Sequence, residues 1–176
     1  ACLALEAPQR VAYLGPEGTF TEQAAERHFG AFADFCPAPS ITEVFRAVEA
    51  GQADFGVVPV ENSTEGVVNQ SLDALLATPL TIVGELELPI HQHFLLHPEA
   101  SPAGLTAVWS HPQSLAQCRG WLDRHWPQLT RVPAASNGEA AAQVAKNPQL
   151  AALAGDPAQK RYGLRAEARC VEDAPD

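Results

Sequence analysis

The chain has 176 residues, 46% of them hydrophobic, and a formal net charge of −10 from 21 acidic and 11 basic side chains. That length buries a core as one ordinary domain or as two small lobes, and an acidic chain without a basic stripe excludes nucleic acid and anionic membrane surfaces as expected partners. The longest apolar run, residues 80–88, is interrupted by Gly84, Glu85 and Glu87 and is too short to span a bilayer; with no signal peptide ahead of the first strand, a cytoplasmic protein is expected.

Taken in order, the pattern predicts a strand over residues 11–14, a helix over 21–29, a strand over 32–36 and a helix over 41–50 closed by Gly51. A strand over 53–60 and a helix over 67–76 complete a first set. This alternation is that of parallel strands joined by helical crossovers. Residues 80–88 and 90–96 form an extended run, broken by Pro89, that carries the chain into a second set. There the expected elements are a strand over 105–109, a helix over 112–125, a strand over 130–134, a helix over 139–146, a strand over 150–154, a short helix over 157–162 and a last strand over 165–171. The fold class is therefore α/β, with two lobes of mainly parallel sheets flanked by helices. The expected division gives residues 11–88 and 165–176 to the first lobe, to which the last strand returns, and 89–164 to the second. Two such lobes imply a cleft, and ligands of open α/β sheets bind at the carboxyl ends of the strands.

Four strand-to-helix turns carry hydroxyl or amide side chains. They are Gly15-Pro16-Glu17-Gly18-Thr19-Phe20-Thr21, Glu61-Asn62-Ser63-Thr64 with Gly66, Ser110-His111-Pro112-Gln113, and Ala135-Ser136-Asn137-Gly138-Glu139. Unpaired N–H groups at a helix start suit a carboxylate or phosphate, and turns at the carboxyl ends of parallel strands share one sheet edge, two per lobe across the cleft. Each turn serves equally as a plain cap: Thr19 with Glu22, Ser63 or Thr64, Ser110 or His111 with Pro112 at N1, and Ser136 with Glu139 as a capping box. None of the four contains arginine or lysine. A helix end contributes about 0.3–1 kcal/mol and at best about 2, so several together approach the ~4 kcal/mol of a millimolar ligand. The cation that would complete a tighter site has to come from elsewhere in the chain or from outside it.

Cys2, Cys36, Cys118 and Cys170 are scattered without the close pairing of a zinc or redox motif, so reduced thiols are expected. His91-Gln92-His93 on a strand would turn two imidazoles to one face, but no third ligand lies at suitable spacing, and no metal is expected. Trp109, Trp121 and Trp126 read as packing residues rather than as a platform for a ligand ring.

The first turn, Val58-Pro59-Val60-Glu61-Asn62-Ser63 with Gly66, and Ser110-His111-Pro112-Gln113 with Gln117-Cys118 resemble, in order, three motifs of the prephenate dehydratase family. The resemblance runs from Val11 to the end. It implies a fold like a type 2 periplasmic binding protein with the active site in the interlobe cleft, and conversion of prephenate to phenylpyruvate, with loss of water and carbon dioxide, in phenylalanine biosynthesis. By resemblance Glu61, Asn62, Ser110, Gln117 and Glu139 belong to the catalytic set. Thr19, Phe20, Thr21, Ser63, Thr64, Gly66, His111, Gln113, Ser136 and Asn137 are expected around the substrate. No cofactor is called for, because the enzyme need only bind two carboxylates and protonate one hydroxyl. An ionised Glu61 would repel such a dianion, so it is expected protonated, turned to the backbone, or holding Asn62.

Residues 1–10 are similar to the end of the chorismate mutase helix that precedes this domain in bifunctional proteins, so a chorismate mutase neighbour is expected. Beyond Asp176 the family pattern runs on into an Asn-x-Thr-Arg-Phe motif, whose threonine acts as the acid and whose arginine contacts substrate. The expectation is accordingly an excised domain, weak or inactive by itself, from a homo-oligomer with a phenylalanine-sensing ACT domain. Two other readings compete: a non-catalytic anion-binding module of the same architecture, and a structural domain whose turns merely cap helices.

Overall fold

The computed structural model describes residues 7–62 and 66–174. By its internal contacts the chain divides into two compact units. One comprises the residues up to Pro16 with Thr21–Leu88, the other Glu17–Phe20 with the residues from Pro89 onward.

In the first unit β1 (Arg10–Leu14) lies between β2 (Asp34–Ala38) and β3 (Phe55–Val57) in a parallel sheet of order β2-β1-β3. A central strand is covered on both faces, which is why Val11, Ala12 and Tyr13 run without polar alternation and are all buried. The crossovers are α1 (Phe20–Phe29) and α2 (Ile41–Glu49). Ser40 opens α2 by accepting the Glu43 N–H at 3.2 Å, Ile41 and Val44 turn inward, and Gly51 follows the helix at φ 72°. Gly56 lets β3 lie against that helix, since a Cβ there would stand 2.8 Å from Val44 Cγ1.

The second turn differs from expectation. Residues 67–76 do not form one helix from Val67. Instead β4 (Glu61–Asn62) and β5 (Gly66–Val67) make a small antiparallel hairpin, and α3 (Asn69–Ala77) begins two residues later, with Val68 in the cap position and no side-chain cap bond. Gly66 at φ 73° permits the return. Ser63 and Thr64, expected as caps, lie outside the described residues. Glu61 and Asn62 therefore sit on a hairpin strand, and the helix-dipole argument does not reach them.

The second unit is a five-stranded sheet of order β10-β6-β9-β7-β8. β7 (Ala107–Ser110) runs parallel to β8 (Thr130–Pro133) and β9 (Leu150–Ala154), whereas β6 (His93–Leu96) is antiparallel to β9 and to β10 (Arg165–Ala168). The last strand thus pairs inside the second sheet through β6, which corrects its expected return to the first lobe. On β9 Leu150, Ala152 and Ala154 pack with Ala140, Ala141 and Val144 of α6 (Asn137–Lys146), while Ala151 and Leu153 turn to the opposite face with Phe94, Val108 and Leu122. The alanine-rich stretch is what allows helix and sheet to approach closely.

The helix expected over 112–125 is two, α4 (Pro112–Gln117) and α5 (Arg119–His125), broken at Cys118. The break is imposed from far along the chain: the Asp173 carboxylate accepts the Gly120 and Trp121 N–H groups at 2.7 and 3.0 Å. Trp121 and Trp126 pack on Phe94, each with ring centroids 5.2 Å away, and Trp109 packs against the Ala140 cluster, so all three are core. α7 (Asp156–Tyr162) precedes β10. Among the described residues no helix is long and apolar enough to cross a membrane.

Candidate active site

In the second unit the strand directions collect the carboxyl ends of β7, β8, β9 and β10 with the amino end of β6 at one sheet edge. Ser110 ends β7 and His111 caps α4, its Nδ1 accepting the Gln113 N–H at 3.2 Å with Pro112 at N1. That acceptor role leaves the proton of the neutral ring on Nε2. Ser136 caps α6: its Oγ accepts the Glu139 N–H at 3.0 Å while Glu139 Oε2 accepts the Ala135 N–H at 3.0 Å. The Glu139 bond falls one residue ahead of the N-cap Ser136, a variant of the capping box, and it commits the exposed Glu139 carboxylate to the helix start.

Asn137 ties the edge together. Its Oδ1 accepts from Ser110 Oγ at 2.7 Å and from the His111 N–H at 3.0 Å, and its Nδ2 donates to Ser114 Oγ at 2.9 Å, with Gln92 Oε1 at 3.4 Å. All four bonding positions of the amide are thereby used. Ser110 is fully buried and its single proton lies between Asn137 Oδ1 and the Leu153 carbonyl, 2.8 Å away. Both oxygens within reach of its hydroxyl thus belong to the protein, one of them on the Asn137 amide.

Gln92 and Ser114, both buried, were not singled out as site residues in the sequence, and the one available signal, for Gln92, was a polar residue heading a short, mostly apolar strand. Beside them His93, also buried, accepts the Cys170 N–H on Nδ1 at 3.0 Å, so its Nε2–H donates to Asp156 Oδ1 at 2.9 Å. His91 turns to Glu172, with Nδ1 2.5 Å from Oε1, so the two imidazoles do not converge. Burial raises the Glu172 carboxyl, but the hydrogen bonds from His91 and the Gln92 N–H outweigh it and hold the group below the usual carboxylate range. A cation is present at this edge: Arg169, held by Asp156 at 3.3 Å and Gln159 at 3.5 Å. Gln117 contributes its backbone carbonyl to the Asp173 N–H at 2.7 Å.

Glu17–Phe20 belong to this unit. Glu17 pairs with Arg161, Gly18 lies against Ala158 and Arg161, and the Phe20 ring presses on Gly155, where a Cβ would stand 2.4 Å from Cζ. Thr19 directly precedes α1, Thr21 is part-buried within it, and Tyr13 Oη donates to Glu22 at 2.6 Å. In the first unit Glu61 is exposed opposite Val67, and Asn62 opposes Gly66.

A model of the family described as prephenate dehydratase matches residues 11–176, which take in the polar edge and all of the strands β1 to β10 except Arg10 at the start of β1. The chain belongs to the prephenate dehydratase family. A bifunctional chorismate mutase/prephenate dehydratase of Stutzerimonas stutzeri is 53% identical over 175 residues, covering 99% of this chain and 48% of that protein. The prephenate dehydratase of Arthrobacter aurescens, solved in complex with L-Phe, superposes with a TM-score of 0.84 at 32% identity, over 95% of this chain and 57% of that one. GqqA, described as a novel type of quorum quenching acylase, gives a TM-score of 0.84 at 26% identity over 94% of this chain and 60% of its own. The chain spans about half the length of the first curated relatives it matches.

Proposed function

We propose that the chain carries out the dehydratase reaction on prephenate in phenylalanine biosynthesis, weakly when it acts alone, as the sequence leads one to expect. Family membership over residues 11–176 is the observation that carries this reading, and 53% identity to a dehydratase outweighs 26% to the acylase. The bond from the ring to its carboxylate breaks and releases carbon dioxide. Its electron pair enters the ring, the ring C–O bond breaks, and the hydroxyl departs with one added proton as water, leaving aromatic phenylpyruvate. Aromatisation supplies the drive, so the protein's part is to hold two carboxylates and place one proton.

In this reading His111 Nε2–H is the donor offered to a substrate oxygen, because Nδ1 is occupied by the Gln113 N–H. Ser110 and Asn137 are positioning residues: through the His111 N–H and Ser114 they hold the starts of α4 and α6 in one arrangement. Glu61, Asn62, Gln117 and the Thr19-Phe20-Thr21 turn are further substrate-side candidates by family resemblance, together with Ser63, Thr64 and Gly66 of the second motif. Glu139 and Ser136 serve the site by capping α6. A chorismate mutase part as covalent neighbour is supported by the names of the bifunctional relatives, and a phenylalanine-sensing part by the L-Phe complex of the Arthrobacter enzyme. A homo-oligomer is part of the same proposal.

Steady-state kinetics with prephenate test this. The protein forms phenylpyruvate, and His111→Ala lowers kcat/KM by about 10–100-fold, the scale of one lost charge-assisted hydrogen bond. Absence of phenylpyruvate from the unaltered protein overturns the reading, and an unchanged kcat/KM in the variant removes His111 from it.

A further inference from the structure

We propose that His91, Cys170 and Glu172 form a binding site for a borderline-soft divalent cation of the zinc type. One imidazole nitrogen, the Cys170 sulfur and one Glu172 oxygen all lie within 4.8 Å of one another. Tetrahedral zinc with bonds of about 2.0–2.3 Å places its ligand atoms about 3.3–3.8 Å apart, so the three atoms already stand close to that spacing. The His91 Nδ1 to Glu172 Oε1 contact of 2.5 Å opens slightly as the metal enters between them. Imidazole, thiolate and a single carboxylate oxygen together favour zinc over magnesium or calcium, which take oxygen ligands.

The backbone carrying these groups is fixed. The Cys170 N–H is held at 3.0 Å by buried His93, which is itself bound to Asp156, while Glu172 Oε2 accepts the Gln92 N–H at 2.9 Å. The Val171 N–H donates to the Gln92 carbonyl at 2.8 Å, so residues 170–172 are laced to the head of β6. Ligands held by such outer partners need less ordering on binding. Cys170 and His91 are exposed, which gives an ion entry and leaves a fourth coordination position for water. Binding converts the Cys170 thiol to thiolate and releases its proton to solvent. The site clips the start of β6 to the chain after β10, and it stands independently of the reaction assigned to the protein.

The test is titration of the reduced, chelator-dialysed protein with Zn2+ alone against a chromophoric chelator, and with Co2+ alone in the spectrophotometer. Expected are one high-affinity Zn2+ per chain, affinity reduced about tenfold or more in Cys170→Ser, His91→Ala and Glu172→Gln, and no change in Cys36→Ser. Co2+ gives a thiolate-to-metal charge-transfer band that Cys170→Ser abolishes and Cys36→Ser keeps. Circular dichroism identifies any variant that has lost its fold, and the remaining variants then carry the comparison. Binding that survives both Cys170→Ser and His91→Ala, or a cobalt complex of the unaltered protein without a thiolate band, overturns the proposal.

Discussion

Replacing Asn137 by Ala removes the amide to which the ends of β7, α4 and α6 are tied. The His111 N–H loses its acceptor at 3.0 Å and Ser114 Oγ its donor at 2.9 Å, while Ser110 keeps the Leu153 carbonyl at 2.8 Å. The 3.4 Å approach to Gln92 contributes little. A buried polar group left without a partner costs about 1–3 kcal/mol, but the Ser114 hydroxyl can turn to a carbonyl one helical turn back, so we expect a loss of about 2–4 kcal/mol rather than the full sum. Ser136 still caps α6, so no cap loss adds to this. Urea unfolding followed by tryptophan fluorescence reports the change, because Trp109 lies on β7 and Trp121 and Trp126 in the neighbouring core. A loss below about 1 kcal/mol would refute the description of Asn137 as the fully bonded centre of this edge.

Three further outcomes follow from the same geometry. Gly155→Ala sets a Cβ 2.4 Å from Phe20 Cζ, and destabilisation of about 1–3 kcal/mol by urea unfolding is expected, relieved when Phe20→Ala is added; a purely additive double variant contradicts the contact. Asp173→Ala removes the cap shared by the Gly120 and Trp121 N–H groups and lowers stability by about 0.5–2 kcal/mol, measured as a midpoint shift, with no shift as the contrary result. Cys118 is buried, and burial, with the negative Glu172 and Asp173 nearby, pushes its thiol up to about 12 from 9.0. Because the folded value is the higher one, this group's contribution is complete below pH 9.0 and is lost as pH rises toward 12; Cys36 and Cys170 react with a thiol reagent in the native protein and Cys118 does not. Prompt native labelling of Cys118 would contradict its burial.

Local pattern carried much of the architecture. The central strand β1, the Ser40-to-Gly51 frame of α2 and the apolar run of β9 each follow from period, cap and turn chemistry within a few residues. What escaped depends on partners far away in sequence. Asp173 splits the helix at Cys118, and β6 captures the last strand, neither of which leaves a mark on the local residues. The hairpin at Glu61 and Asn62 replaced a helix start because Gly66 turns the chain back, although the same glycine reads equally well as part of a helix-opening loop. Within the site, Ser110, His111, Ser136 and Asn137 were visible as polar residues at strand ends. That Asn137 consumes its whole bonding capacity, and that Ser110 serves it from full burial, required the partners Ser114, Gln92 and Leu153. His91 and Glu172 are 81 residues apart, so spacing alone gave no third ligand to the histidine pair.

At stake is the conversion of prephenate to phenylpyruvate. Incubating the protein with prephenate in the presence of a metal chelator, and measuring phenylpyruvate and carbon dioxide from the same sample, tests it most directly. Equal amounts of the two products, formed at a rate that Asn137→Ala reduces, are predicted. No phenylpyruvate, or phenylpyruvate without matching carbon dioxide, would contradict the account.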